Sequence, residues 1–341
     1  MLSSVAPPPR ARHALRAVLL PSGRAQSIHV LPPPAARTQG DPSDRRGAPS
    51  RSRRAYAGRV TEGLVGAVQV SRIPLRQLMA IDGLDAVTPG HRTFGLVEFD
   101  VTTALRRIAD LQRSGRRVTL LAFVISSIGR ALAEHPELNS IRQGRSVYRF
   151  ADVDVNLSVE LDTPGGPFPH QVTLRRVQDK DPEAVYAQIE QARQRFASGR
   201  GAGAEDQRLE RAVGWLAHAP RFVRVGALRA AVRSAPRVKR WSGTTFVTSL
   251  TKFADSGGFV IPFAGGPMAV SFALGGIAQR AVCRDGVHDS RDLLAVTVIV
   301  NHDLVDGAPA ARFVRRLQEL VESADGLPDV AAVGQPGGTR P

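Results

Sequence analysis

The residues most able to do chemistry lie in Asn301-His302-Asp303-Leu304-Val305-Asp306-Gly307-Ala308-Pro309. This segment follows an apolar run over 294–300 and precedes a helical pattern over 310–323. A strand that ends in histidine and then turns through Asp-Gly into a helix sets an imidazole at a strand terminus. There it can act on a bound ligand while the core stays apolar. An imidazole titrates close to neutrality, so His302 is the first candidate for a general base. The plainer readings are a partly buried strand-end histidine for His302, and for Asp306 a helix N-cap with Pro309 in the first turn.

Two other candidates fall away. His288 and Asp292 repeat the His-x-x-x-Asp spacing, but Leu293 stands where glycine is needed and both lie in a polar hairpin connection. Cys283 has no adjacent histidine and reads as a strand residue. As the single cysteine it excludes an internal disulfide framework and offers no metal-site pattern, so no metal is expected.

The elements that must position His302 alternate in type. A strand is expected over 94–102, a helix over 103–114, and an apolar helix over 119–133 closed by His135-Pro136. A half-buried strand follows over 150–162. Asp181-Pro182-Glu183 then supplies a cap, a first-turn proline and an early acid for a helix to about Phe196. Strands are expected over 244–250 and 268–274. Asp285-Gly286 turns a hairpin into the strand that ends at His302. The Gly-x-Gly-x-Gly of 199–204 follows a helix and not a strand, so a dinucleotide site has no support.

With 341 residues, 43% hydrophobic and 23% charged, the chain can build one large core or two domains. Its net charge of +15 is localised. Residues 1–60 carry eleven arginines against two aspartates, and 211–240 carries eight basic residues and no acid. The first stretch, rich in Pro, Arg, Ser and Ala, reads as a disordered extension. It fits an over-long start, an Arg-rich targeting peptide or a nucleic-acid arm; no interleaved aromatics support the last. The apolar patch at 14–20 is short and broken by Arg16, so a signal peptide is not expected. No window approaches the roughly 20 apolar residues that span a bilayer, and a cytoplasmic protein is expected.

Several stretches taken in order resemble the acyltransferase (E2) catalytic domain of 2-oxoacid dehydrogenase complexes, within the chloramphenicol acetyltransferase-like superfamily. They are Val70-Ser71-Arg72-Ile73, Phe99-Asp100-Val101-Thr102, Glu134-His135-Pro136-Glu137-Leu138-Asn139, Asp162-Thr163-Pro164-Gly165-Gly166, the segment from Gly243 to Leu250, and the segment from Asp306 to Phe313. The resemblance covers about residues 64–325. It implies an α/β fold, a two-layer sandwich with a mixed sheet and flanking helices. The domain would run over 61–328 with a basic helical insertion at about 205–242, and 329–341 would form a flexible tail.

Departures are visible as well. Asn301-His302-Asp303 replaces the family's Asp-His-Arg, and Phe168-Pro169-His170-Gln171-Val172 replaces an apolar strand. No lipoyl domain is present; Asp179-Lys180 aligns inside the catalytic domain, so no covalent lipoyl group is expected. The resemblance implies acyl transfer from a thioester such as acyl-coenzyme A to a thiol, hydroxyl or amine. His302 would be the base, Thr248 the oxyanion donor and Asp306 the carboxylate that orders the loop, with Arg72 and Arg76 as candidate salt-bridge partners. Ser249, Asn301 and Gly307 are the substrate-binding candidates, while His91 and His135 read as structural. A homotrimer or a higher multiple is implied, because in the family the histidine and the hydroxyl meet across subunits. Two other readings stay open: a core that uses a lipoyl domain supplied in trans, and a non-catalytic trimeric scaffold that binds polyanion or membrane. The basic stretch 208–240 fits a cover over the active-site mouth that attracts coenzyme A phosphates. It also fits an amphipathic surface helix with Trp215 and Phe222 as lipid anchors. The cover is preferred because the stretch directly precedes the Thr248 strand.

Overall fold

The computed structural model describes residues 59–328 apart from 64–65, 71–72, 74, 88–89, 164–165, 198–211, 213, 252–256, 264 and 285. The expected disordered extension, the glycine loop at 199–204 and the tail over 329–341 therefore lie outside the described residues, save Arg59 and Val60. Those two open a strand, β1 (Arg59–Gly63), that pairs with β2 (Gly66–Val70).

Helix α1 (Leu75–Ala86) comes next, followed by β3 (Arg92–Asp100), α2 (Thr102–Arg113) and α3 (Leu120–Glu134). The short hairpin of β4 (Ser140–Gln143) and β5 (Ser146–Arg149) precedes β6 (Val155–Thr163), β7 (Gly166–Leu174) and α4 (Pro182–Ala197). Two insertion helices follow, α5 (Arg221–Val232) and α6 (Ala235–Ser242). The chain then forms β8 (Thr245–Ser249), β9 (Val270–Arg284), β10 (Val287–Asn301) and α7 (Gly307–Glu322). Six strands make one mixed sheet in the order β3-β10-β9-β8-β6-β7, parallel only at β9–β8 and β8–β6. Among the described residues no helix is long and apolar enough to cross a membrane.

Most expected elements form where the periodicity puts them, and two differ instructively. The strand expected over 150–162 begins at Val155, because Asn139 Nδ2 donates to the carbonyls of Phe150 (2.6 Å) and Asp152 (3.1 Å) and holds them as an irregular connection. The strand expected over 268–274 runs on to Arg284: Gly275-Gly276 interrupts the apolar alternation, but the ladder absorbs it as a register shift opposite Leu294/Val296.

β10 is buried on both faces. Leu294, Val296, Val298 and Val300 join the main core with Phe123, Ile125, Phe313 and Leu317 from the helices. On the other face Ala295, Thr297 and Ile299 are equally buried. The chain segment 257–266 starts against β9, where Gly276 N donates to Gly258 O (3.0 Å). It ends against β3, where the Arg92 guanidinium donates to Gly266 O and to Met268 O. Since β10 lies between β9 and β3, the segment crosses it. Gly275 is needed there, because a Cβ would stand 2.2 Å from Gly258 O.

The start of β8 is set by Asp154. Its carbonyl accepts from Thr244 N (2.7 Å) and Thr245 N (3.2 Å), and its buried carboxylate accepts from Arg176 N (2.9 Å) and Arg175 Nη1 (3.0 Å). Gly243, at φ 67°, lets the chain pass this close, with a Cβ 2.4 Å from that carbonyl. Asp154→Ala leaves the amide of Arg176 without its acceptor and Arg175 without its carboxylate, while Lys239 keeps Asp152 (3.5 Å). We predict a loss of about 3 kcal/mol in unfolding free energy, read from urea denaturation. A loss below about 1 kcal/mol would show that the carboxylate is dispensable.

Candidate active site

His302 follows β10 directly, and its main chain is tied on both sides. Asn301 N donates to Ala269 O (2.8 Å), and His302 N donates to His91 O (2.8 Å). Asn301 is buried; its Oδ1 accepts from Asp303 N (3.2 Å), and its carbonyl accepts from Leu304 N (2.9 Å) and Val305 N (3.1 Å). The ring itself is free to reach solvent, with the side chain 50% exposed.

Asp306 occupies the N-cap position of α7, but its side chain makes no cap hydrogen bond. A cap carboxylate takes the N–H of the second or third helical residue, and the third here is Pro309, which has none, so Ala308 alone could serve. The carboxylate is 86% exposed and stands 4.0 Å from His302 Nδ1. Of the expected salt-bridge partners, Arg72 and the side chain of Arg76 in α1 lie outside the described residues.

Among the described residues the turn is tied by Asp303, a residue the sequence did not single out for any role. Its side chain is only 19% exposed, and each oxygen has a partner: Oδ1 accepts from His91 Nδ1 (2.7 Å) and Oδ2 from Arg142 Nη1 (2.8 Å). These bonds hold its carboxyl below the usual carboxylate range, the His91 hydrogen bond contributing most. Gly90 leaves room for the cluster, since a Cβ would lie 3.0 Å from Asn301 Oδ1. His91 thus ties the turn by side chain and main chain together. His135 is structural, its Nδ1 against Ala131 O (2.9 Å) and its ring edge-on to Phe313. Only sequence-distant pairing brings Arg142 here, so no local signal could have found it.

A cavity of about 410 Å³ opens beside this cluster, lined by His91, Arg142, Asn301 and Asp303 and, from the end of α5, by Val232 and Arg233. The basic stretch 208–240 therefore reaches this cavity at Val232 and Arg233. Its expected anchors Trp215 and Phe222 do not cover the mouth; they are 84% and 79% exposed.

Thr248 lies elsewhere. It pairs with Ala273, which pairs with Thr297, so the three share one face of the sheet. His302 is two strand spacings across and five residues further along, roughly 19 Å away within one chain. Ser249 points to the opposite face, where a second cavity of about 360 Å³ lies between the sheet and α3, lined by Leu120, Leu121, Val124, Ser158 and Leu274. Gly307 is the first residue of α7. Cys283 is exposed and paired in register with His288 across the β9–β10 ladder. Among the described residues no cluster of three or more potential ligands could hold a metal.

The lowered Asp303 carboxyl has a pH consequence. A carboxyl whose folded pKa is depressed contributes stability that is full above its ordinary value, about 3.9, and is lost as pH falls through the folded value. Asp303→Asn should therefore destabilise at pH 7, with the gap to wild type closing below about pH 4 in denaturation curves. A gap independent of pH would show that shape, not charge, is what the site needs.

The family of 2-oxoacid dehydrogenases acyltransferase (catalytic domain) matches residues 85–205. The dihydrolipoyllysine-residue acetyltransferase component of the pyruvate dehydrogenase complex from Corynebacterium glutamicum is 23% identical over 270 residues, 75% of this chain and 34% of that protein. The chain thus spans about a third of the length of that curated relative. Dihydrolipoamide acetyltransferase of Azotobacter vinelandii, whose serine, histidine and asparagine were investigated for their role in catalysis, superposes with a TM-score of 0.56 at 18% identity, covering 76% of this chain and 94% of the other. A truncated catalytic core of the 2-oxoacid dehydrogenase multienzyme complex of Thermoplasma acidophilum superposes with a TM-score of 0.53 at 16% identity, over 76% and 99%. In sequence over residues 85–205, and in fold over about three quarters of its length, this chain resembles the acyltransferase catalytic cores of the 2-oxoacid dehydrogenases.

Proposed function

We propose that this chain is an acyltransferase that moves an acyl group between a thioester and an acceptor thiol, hydroxyl or amine, with coenzyme A as co-substrate. The observation that carries the reading is His302: an imidazole at the end of a doubly buried strand, its main chain fixed and its ring open to ligand. A thiol is only a few per cent ionised at neutral pH, so a base within hydrogen-bond reach is worth ~10²–10⁴ in rate. His302 takes the proton of the attacking thiol, hydroxyl or amine. The freed electron pair attacks the thioester carbonyl and the C=O bond opens to an oxyanion, which the Thr248 hydroxyl stabilises. Collapse re-forms the carbonyl and breaks the C–S bond, and the departing sulfur takes the proton back from the imidazolium. No covalent acyl-enzyme is involved.

The separation between Thr248 and His302 supports a shared site in a homotrimer, the hydroxyl of one copy meeting the imidazole of the next. Phe94 and Leu96, exposed on the same sheet face as Thr248, support an interface there. Asp306, open to solvent beside the ring, orients the imidazole in that setting. Ser249 and its apolar cavity hold the acyl portion of the donor. Asn301 and Gly307 contact substrate through the turn. A lipoyl domain supplied in trans is the second reading, favoured by the dihydrolipoamide acetyltransferases among the similar structures.

Thiol release from a panel of acyl-coenzyme A thioesters, with and without acceptors, tests this. His302→Ala should lower turnover ~10²–10⁴-fold, and Thr248→Ala about 10²-fold. Mixing the two inactive variants and allowing subunit exchange should restore about a quarter of the sites, because one copy supplies each missing group. Unchanged turnover in His302→Ala would end the reading. Absence of restoration would reject the shared site while leaving the base in place. Turnover seen only with a lipoylated partner would select the second reading.

A further inference from the structure

We propose that the basic insertion around α5 is a docking surface for an anionic lipid membrane. The insertion is fastened to the body by charge. Arg224 Nε lies 2.5 Å from Asp82 of α1, with both groups nearly buried, and Arg221 Nη2 lies 2.6 Å from Asp85. The Arg224 guanidinium also donates to Ala219 O (3.0 Å) and Ala217 O (3.4 Å), closing the bend that precedes α5. Ala217, Arg224 and Val225 therefore mark the face turned to the protein.

A helix advances about 100° per residue, so a residue two positions from a buried one points to the opposite side. Trp215 is two residues before Ala217, and Phe222 is two residues before Arg224. Both rings stand out on the solvent side, at 84% and 79% exposure. Behind Phe222 the same outward stripe holds Gly226 and Ala230, both exposed; the exposed Arg229 reaches back to the carbonyl of Asp85 (3.4 Å), and Arg233, also exposed, borders the cavity beside Asn301. No acid occurs anywhere in 211–240. Arg229, Arg233 and Arg237 pair with no carboxylate among the described residues.

Large rings that protrude beside a single-sign basic field suit the boundary of an anionic bilayer. Indole and phenyl rings seat at the headgroup level, while the guanidinium groups meet lipid phosphates. The acid-free stretch 211–240 also argues against a second copy of this chain, since like charges would face each other.

The chain's two tryptophans, Trp215 and Trp241, both lie in or beside this insertion, so intrinsic fluorescence reports on it alone. The full chain is titrated with vesicles of equimolar phosphatidylglycerol and phosphatidylcholine, and with pure phosphatidylcholine. The expected result is a blue shift and protection from aqueous quencher with anionic vesicles only, weakened by added salt. Trp215→Ser with Phe222→Ser should lower partitioning at least about tenfold in sedimentation, with thioester turnover and oligomeric state unchanged. Vesicle sedimentation without an emission change would assign the binding to the arginines of 1–60 and overturn the proposal. So would rings already protected from quencher in the vesicle-free protein, which would place them in a subunit contact. Equal affinity for duplex DNA or polyglutamate without a blue shift would overturn it in favour of a soluble polyanion.

Discussion

Everything at the candidate site hangs on the two-sided burial of β10. Full burial of a Val, Leu or Ile side chain is worth about 1.5–3 kcal/mol, while an ion pair at a partly exposed position is worth about 0–1 kcal/mol. The register of this strand is therefore fixed by Leu294, Val296, Val298 and Ile299, not by the charges at its end. A one-residue slip would move every one of these side chains to the other face. Helices cover one face. Segment 257–266 covers the other, pinned where Arg92 of β3 holds Gly266 and Met268. Arg92 is also the residue opposite Asn301 in the ladder, so the clasp on the covering segment and the end of β10 share one anchor. Burial lowers the pKa of its guanidinium, and the nearby Asp303 charge counters that shift.

Given that fixed strand, the turn after it needs only local bonds to hold His302. It uses the main chain for the purpose and leaves the ring uncommitted. Net contributions near 1 kcal/mol each are enough here, since several act on three consecutive residues: His91 O on His302 N, Asn301 Oδ1 on Asp303 N, and Asp303 with His91 and Arg142. Pro309 has a complementary effect. By withholding an N–H from the first turn of α7 it removes one of the two amides that an Asp306 cap could use, and the carboxylate makes no cap bond and stands 4.0 Å from the imidazole.

Much of this was legible in the sequence, for reasons that are physical and local. The apolar run before Asn301, the His135-Pro136 close of α3 and the Asp-Pro-Glu opening of α4 each state their own structure, and the quoted motifs point to the fold. What sequence could not state depends on partners far apart in the chain. Asp303 looked like a bare substitution of a family arginine. Its meaning comes from Arg142 and His91, more than 160 and 200 residues away. Asp306 was readable as a cap by position, and the missing bond follows from Pro309, whose effect at the third helical residue was there to be used. The hairpin of β4 and β5 was missed because it is short and mostly exposed, with no apolar alternation to betray it. Trp215 and Phe222 were legible as candidate anchors but not as outward-facing ones. That depended on Arg224 finding Asp82 on a helix more than 140 residues earlier.

Arginine serves two opposed physical roles in the insertion, and the difference lies in what each meets. Arg224 is withdrawn from water and would be costly there without Asp82; removing either partner strands a buried charge. Arg229 and Arg233 are exposed and pair with no carboxylate among the described residues, and a field of one sign acts over about 8 Å at physiological salt. The nearly buried Arg224–Asp82 pair is little screened by salt, while the exposed Arg221–Asp85 pair and recognition through exposed arginines are screened. The insertion can therefore stay docked on α1 under conditions that switch its outer surface between free and bound. At the end of α5, Val232 and the following Arg233 line the cavity that Asn301 and Asp303 also line. One rigid helix of twelve residues thus spans from that outer surface to the wall of the candidate site.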